Sequence, residues 1–383
     1  MPMADSLKDC FPMLQSREEV LKRINGEKNL RETYQLWKEK EREEFLDMCT
    51  GARGVKMLYD GFFKEVMNPE YAPGRLGDFL SEVLGAAVRV KNVLPNDTTR
   101  LTDESSLLVL DIVVEFEDGR IANVEVQKIG YLFPGERSAC YSADLLLRQY
   151  KRLRDERKKQ FSYRDIRTVY TIILFEHSPE EFWSYPEIYR HCFGQTSDTG
   201  LRLKIPQKFI YIALDIFKKK QHNEGERIHN RLEAWLTFFC RDEPEMIFRL
   251  LEEYPEFRAL YEDVYELCRN VEGLMEIFSK ELLEMDRNTV KLMIDQMQEK
   301  IDAQEETIEV QSQVIQAKDA ELESVKQQKN AELESVKQQK DVELESVKQQ
   351  KDAELEAAKQ QMQCQAESFE QRIAELERKL AER

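Results

Sequence analysis

The stretch Leu108–Lys128, LVLDIVVEFEDGRIANVEVQK, decides the fold. Apolar residues recur on both sides of Glu117-Asp118-Gly119, so Leu107–Phe116 and Arg120–Ile129 read as the two strands of a hairpin. Two registers compete. A two-residue Asp-Gly turn pairs Glu117 with Arg120, sets Ile112 opposite Glu125 and turns the acid onto the apolar face. A three-residue loop with Gly119 left-handed in a bulge sets Asp111 opposite Glu125, Val113 opposite Asn123 and Val109 opposite Gln127. Leu108, Leu110, Ile112, Val114 and Phe116 then share a face with Ala122, Val124 and Val126. A slip of one residue exchanges the faces, so burial of that apolar face selects the three-residue loop.

The register has a chemical consequence. Directly opposed side chains in a hairpin have Cβ atoms roughly 4.5–5.5 Å apart. Carboxylates held that close repel unless one is protonated or a cation sits between them. Hard divalent cations with oxygen ligands suit such a pair, Mg²⁺ above all, with Mn²⁺ as the alternative. An ion held there can activate water and offset charge on a phosphodiester. The plain alternative is that Asp111 and Glu125 lie on a solvated sheet face.

Outward from the hairpin, the chain reads as an α/β unit. Residues 1–55 are charged and helical, broken at Gly26 and Gly51. Val55–Glu70 has helical apolar spacing, and Arg75–Gly85 is a short amphipathic helix burying Leu76, Phe79, Leu80, Val83 and Leu84, with Gly85 as its cap. Ala87–Leu94 alternates as a strand. Ser138–Arg157 is helical, and Thr168–Phe175 and Lys208–Phe217 read as buried strands. Between those strands, Ser178-Pro179-Glu180-Glu181 carries the marks of a helix start. The segment 226–295 is helical without strand signal.

From Ala320 the sequence repeats: AELESVKQQKN, AELESVKQQKD and VELESVKQQKD follow in tandem, then AELEAAKQQMQ as a decayed copy. The period of 11 favours a straight or slightly right-handed supercoil. The apolar stripe is thin, only Leu322/Leu333/Leu344/Leu355 with Val325/Val336/Val347/Ala358. Two readings stay open, a parallel coiled-coil homo-oligomer and an isolated charged helix or tether. The organisation expected is therefore 1–55 as an N-terminal helical segment, 56–225 as the α/β domain, 226–295 as a helical region and 296–383 as the repeat helix.

Composition limits the rest. A net charge of −17 over 383 residues argues against a protein that coats nucleic acid non-specifically, without excluding a local basic groove. The seven cysteines are scattered and never form a CxxC pair, which fits reduced thiols in a cytoplasmic protein better than disulfides or zinc. No secretory signal is visible, and no apolar run approaches the roughly 20 residues that span a bilayer. His177, His191, His222 and His229 show no ligand spacing. GxxxxGK[ST] and GxGxxG are absent, and Trp183 and Trp235 read as core. Basic residues concentrate where the helix after the hairpin ends. From Lys151 to Arg167, eight stand against three acidic ones, and Arg148 and Lys151 are candidate phosphate contacts.

An acid on one strand, a turn, then Glu-x-Lys or Glu-x-Gln on the next strand resembles the PD-(D/E)xK nucleases. RLGDFLSEVLG followed by LVLDIVVEFEDGRIANVEVQKIGYLFPGERSACYSADLLLRQYKR resembles their Rpn-like branch of recombination-promoting nucleases and transposase-like proteins, over roughly Leu58 to Phe217. EMDRNTVKLMID, Glu284–Asp295, is similar as well. The resemblance implies a restriction-endonuclease-like α/β core, a mixed sheet flanked by helices, and Mg²⁺-dependent cleavage of DNA. It implies Asp111 and Glu125 as metal ligands and Glu82 as the added acid beside the metal. The motif lysine falls on Gln127, a departure that the Rpn-like branch shares. Gln127 can orient water or a phosphate oxygen but supplies no positive charge. Lys128 is adjacent, and the register points it to the other face. Arg137 and Tyr141 match an Arg and a Tyr that recur in the branch, as phosphate-contacting or motif-orienting residues. Two functions follow: an endonuclease linked to recombination or a mobile element, and a degenerate nuclease fold acting as a DNA- or protein-binding scaffold through its coiled coil.

Overall fold

A computed structural model describes residues 6–68, 70–94, 112–128 and 134–381. The chain divides into two compact units, Met1–Met297 and Gln298–Arg383. In the first, four N-terminal helices, α1 (Leu7–Cys10), α2 (Arg17–Gly26), α3 (Lys28–Leu36) and α4 (Glu39–Thr50), precede α5 (Asp60–Val66) and α6 (Pro73–Leu84). The strands β1 (Val90–Val93), β2 (Ile112–Phe116) and β3 (Ile121–Gln127) follow, then the long helix α7 (Pro134–Arg157). Next come β4 (Val169–Phe175), β5 (Arg190–Phe193) and β6 (Gln207–Ala213), and the helices α8 (Leu214–Asn223), α9 (Arg231–Cys240), α10 (Pro244–Glu253) and α11 (Arg258–Arg269). The last helix, α12 (Val271–Ala381), starts in the first unit and supplies the second.

The six strands among the described residues form one mixed sheet in the order β1-β2-β3-β4-β6-β5. β1, β2 and β3 are antiparallel neighbours, β3, β4 and β6 run parallel, and β5 returns antiparallel on the edge. The hairpin adopts the register that its apolar face requires, with Ile112 paired to Val124, Val113 to Asn123 and Val114 to Ala122. Gly119 closes the loop at φ +81°, a conformation that costs glycine little because it has no Cβ. Phe116 N–H donates to Arg120 C=O at 2.8 Å, and Gly119 N–H to Phe116 C=O at 2.9 Å. Residues 95–111, Asp111 among them, and residues 129–133 lie outside the described residues.

Both faces of the sheet are covered. Ile112, Val114, Phe116, Ala122 and Val124 share the main core with Leu76, Phe79, Leu80 and Val83 of α6 and with aromatic residues of α4, α9 and α11. Val113, Ile121 and Val169, on the other face, pack beneath Tyr141 and Leu145 of α7. Phe11, Trp37 and Phe45 from the N-terminal helices and Trp235, Tyr261 and Phe278 from the helices after the sheet belong to that main core. Residues 1–55 and 226–295 are thus built into the same unit as the sheet.

Several elements differ from the sequence expectation. Lys208–Phe217 divides at Ala213, and Leu214 begins α8. Asp215, at the start of α8, accepts bonds from its neighbour Ile216 N–H at 2.9 Å and from Ser178 N–H at 2.8 Å. An apolar run cannot mark such a junction, because strand and helix bury it equally well. The helix start at Ser178 yields only a 3₁₀ turn, Glu180–Ser184. Trp235 is core, but Trp183 is 38% exposed, with Lys219 Nζ 5.2 Å from its ring centroid. Among the described residues, no helix is long and apolar enough to cross a membrane.

Candidate active site

Polar residues recur every second position on the α7-facing side of β3: Asn123, Glu125 and Gln127. They are 0%, 6% and 3% exposed, so this face is not the solvated one that an isolated hairpin would present. The parallel neighbour β4 sets Thr171 beside Asn123, Ile173 beside Glu125 and Phe175 beside Gln127. Over them α7 contributes Ser138, Tyr141, Ser142, Leu145 and Gln149, all buried.

Glu125 is held from two sides. Gln127 Nε2 donates to its Oε1 at 3.0 Å, and the Tyr141 hydroxyl also hydrogen-bonds to it. Arg137 Nη2 in turn donates to Tyr141 Oη at 3.1 Å, one helical turn away. Burial pushes the Tyr141 hydroxyl well above its ordinary pKa, and the Glu125 charge pushes the same way against the opposing Arg137. The phenol keeps its proton at physiological pH and stays a donor to the carboxylate. Arg137, Tyr141 and Glu125 thus form one hydrogen-bonded chain from α7 to the strand acid.

The other predicted residues take distinct positions. Arg148 pairs with Asp144 at 2.7 Å, and Lys151 is exposed on α7. Arg152 holds both carboxylate oxygens of Glu115, at 2.9 and 3.1 Å. Gln149 ties the hairpin loop to the chain before β4, as its Oε1 accepts from Arg167 N–H at 2.8 Å and its Nε2 donates to Gly119 C=O at 3.4 Å. Arg148, Gln149 and Arg152 overhang Leu94, Val113, Ile121 and Leu145 around a cavity of about 280 Å³. Glu82 lies on α6, one-third exposed and 4.0 Å from Arg231 Nε, rather than among the residues under α7. Asp78, one turn earlier, accepts from Arg231 Nη2 at 2.8 Å and from Trp235 Nε1 at 3.0 Å. Lys128 turns away from Gln127, as the register requires. It forms an ion pair with buried Glu281 of α12, and its Nζ stands 4.9 Å from the Tyr59 ring centroid. Asp111 lies outside the described residues.

Sequence reasoning missed Asn123 and Thr171. Their signal was present, because an Asn-x-Glu-x-Gln alternation in a strand with apolar neighbours marks one polar, buried face. Among the described residues, the Asn123 amide, Gln127 Oε1 and Thr171 Oγ1 are buried without a hydrogen-bond partner. Each such group costs about 1–3 kcal/mol if nothing satisfies it. A carboxylate next to neutral oxygens of this kind is a donor set for a hard, oxygen-ligating cation. No group of three His, Cys, Asp or Glu side chains capable of holding a metal forms among the described residues.

A mixed sheet whose central strand offers a buried acid to the face beneath a following helix defines a nuclease-type α/β core. The chain matches the model of the PD-(D/E)XK nuclease family transposases over residues 57–293, and it belongs to that family. Nucleases of this family typically use divalent metal ions, and the family implies binding to DNA. No curated protein and no solved structure matches the chain.

Proposed function

We propose that this protein is a metal-dependent endonuclease that hydrolyses DNA phosphodiesters, with its active centre on the polar face of β3 under α7. The observation that carries the reading is the buried Glu125 carboxylate, oriented by Gln127 and by the Arg137–Tyr141 pair, among buried oxygens of Asn123, Gln127 and Thr171 that no donor among the described residues satisfies. Asp111 directly precedes Ile112, whose partner is Val124, so the register supports an assignment of Asp111 and Glu125 as the acids that hold Mg²⁺ or Mn²⁺. The chemistry that such an ion supplies is Lewis-acid activation of water and neutralisation of charge on the phosphoryl group. Gln127 positions water or a phosphate oxygen through its amide. Glu82 would reach this centre only after release from Arg231, so it ranks behind the strand acids. Arg148, Lys151 and the basic end of α7 draw the DNA backbone to the face. The transposase in the family's description supports a setting in recombination or mobile-element movement.

The repeat helix supports a homo-oligomer. Leu322, Leu333, Leu344 and Leu355 are all exposed in a single chain, and a second copy would bury them. Two joined copies would bring two active centres to one duplex.

Cleavage of supercoiled plasmid tests the reading, with wild type, Asp111→Ala and Glu125→Ala compared in Mg²⁺ and in EDTA. Nicking that needs the ion and vanishes in both variants is expected. Metal-independent nicking, or nicking retained by Glu125→Ala, would sink it. A second reading draws on one observation: Gln127 occupies the lysine position and Lys128 is committed to Glu281. A retained fold acting as a DNA- or protein-binding scaffold would bind without cleaving.

A further inference from the structure

The far end of α7 carries an aromatic cluster that the active centre does not use. Tyr150 stacks on Tyr163 with ring planes 12° apart and centroids 6.2 Å apart. Phe161 meets both edge-on, at 5.4 and 5.5 Å. Arg154 hydrogen-bonds the Tyr150 hydroxyl, and its guanidinium lies 5.7 Å from that ring centroid. Such packing would by itself fasten the chain back onto the helix. Phe161 and Tyr150 achieve that while half-buried, whereas Tyr163 is 76% exposed and offers its outer face to solvent. The turn that brings the aromatics back has Lys158 at φ +49°, in the left-handed region that residues with a side chain rarely adopt. In a chain of net charge −17, this corner holds eight basic residues against three acidic ones. Lys158, Lys159 and Arg164 are exposed around the rings and make no ion pair among the described residues.

We infer that Tyr163, braced by Tyr150 and Phe161, is a stacking platform for unpaired DNA bases, with the surrounding Lys158, Lys159 and Arg164 on the phosphates. An exposed aromatic ring set in positive charge is the chemistry that holds single strands, because every base has a face to stack and every nucleotide a phosphate. The duplex backbone offers the lysines a partner but gives the ring nothing to stack on. The inference rests on the nuclease reading and narrows its substrate to DNA with a single-stranded segment. Tyr141 and Tyr150 are nine residues apart on α7. That is about 13 Å along the helix axis, with the two side chains half a turn apart around it.

Fluorescence anisotropy of the full chain in EDTA tests this, with a labelled oligo-dT strand, a blunt duplex of equal length and an oligo-rU strand. Wild type is expected to prefer oligo-dT. Tyr163→Ala should weaken that binding about tenfold and leave the duplex nearly unchanged, and Tyr163→Trp should restore it. Tyr163 is exposed, so neither substitution disturbs the core. Unchanged oligo-dT binding by Tyr163→Ala, equal or tighter binding of the duplex, tighter binding of oligo-rU, or no binding at all would each overturn the inference. The two readings fail separately. Glu125-dependent nicking with oligo-dT binding indifferent to Tyr163 refutes the platform alone. Platform-dependent binding without Glu125-dependent nicking refutes the nuclease alone.

Discussion

Lys128→Met should destabilise the Met1–Met297 unit by about 4 kcal/mol at pH 7 and by only about 1 kcal/mol at pH 5. The side chains of Lys128 and Glu281 are 13% and 1% exposed, and Glu281 Oε2 also accepts from Asp60 N–H at 3.0 Å. Breaking a buried pair from one side costs about 3–5 kcal/mol, because the remaining charge is stranded. The carboxyl escapes by taking a proton. That cost is capped by the distance from an unperturbed glutamate, near pH 4.3, to the working pH, at about 1.4 kcal/mol per pH unit. The cap is about 3.7 kcal/mol at pH 7 and about 1 kcal/mol at pH 5. The sign follows from proton counting: the folded variant binds a proton that its unfolded chain releases, so its stability rises as pH falls. Adding Glu281→Gln removes the stranded acid and should recover most of the loss. Urea denaturation followed by tryptophan emission is the assay, since Trp37, Trp183 and Trp235 all lie in this unit and the repeat helix has none. A loss below about 1 kcal/mol at pH 7, or one that does not shrink at pH 5, would refute the reasoning, as either implies that the pair is effectively solvated.

Tyr141→Phe should slow single-turnover nicking roughly 10–100-fold while leaving the fold intact, as a hydrogen bond to a charged group contributes about 1.5–3 kcal/mol; an unchanged rate would exclude Tyr141 from orienting Glu125. Thiol labelling of the native chain at pH 8 should modify the exposed Cys140, Cys192 and Cys364 and spare Cys49, Cys240 and Cys268 until denaturant is added. Burial pushes the Cys240 and Cys268 thiols up to about 12. Both hold their protons in the fold after an unfolded thiol, with pKa near 8.5, has lost its own. Their stabilisation is complete below that pH and drains away as pH rises towards 12, which alkaline urea titrations would detect. Leu333→Glu with Leu344→Glu should convert an oligomer into a monomer by light scattering; a wild-type chain that is already monomeric at high concentration would remove the coiled coil from the account.

The hairpin was the most legible part of the chain, for a physical reason. Ile112, Val114, Phe116, Ala122 and Val124 make one apolar face, and only one register buries it, so the position of Gly119 and the turning away of Lys128 followed. The α6 stripe was equally clear, because Leu76, Phe79, Leu80 and Val83 repeat at helical spacing and Gly85 caps them at φ +65°. What covers the other face of the hairpin was not legible. Asn123-x-Glu125-x-Gln127 has the same alternation whether water or α7 lies above it, and only tertiary packing brings Tyr141 onto Glu125. The junction of β6 and α8 was hidden because Ile212, Ala213, Leu214 and Ile216 are buried without regard to conformation. The edge strand β5 was invisible for the opposite reason: Arg190, His191, Cys192 and Phe193 are half-buried or exposed and carry no alternation.

Binding of Mn²⁺, read as loss of the free-ion paramagnetic resonance signal, tests the central assignment most directly, because it needs neither substrate nor turnover. The account predicts that wild type takes up the ion and that Asp111→Ala and Glu125→Ala, each with native tryptophan emission, do not. Wild type that leaves the signal unchanged, or a Glu125→Ala variant that binds as wild type does, would contradict it.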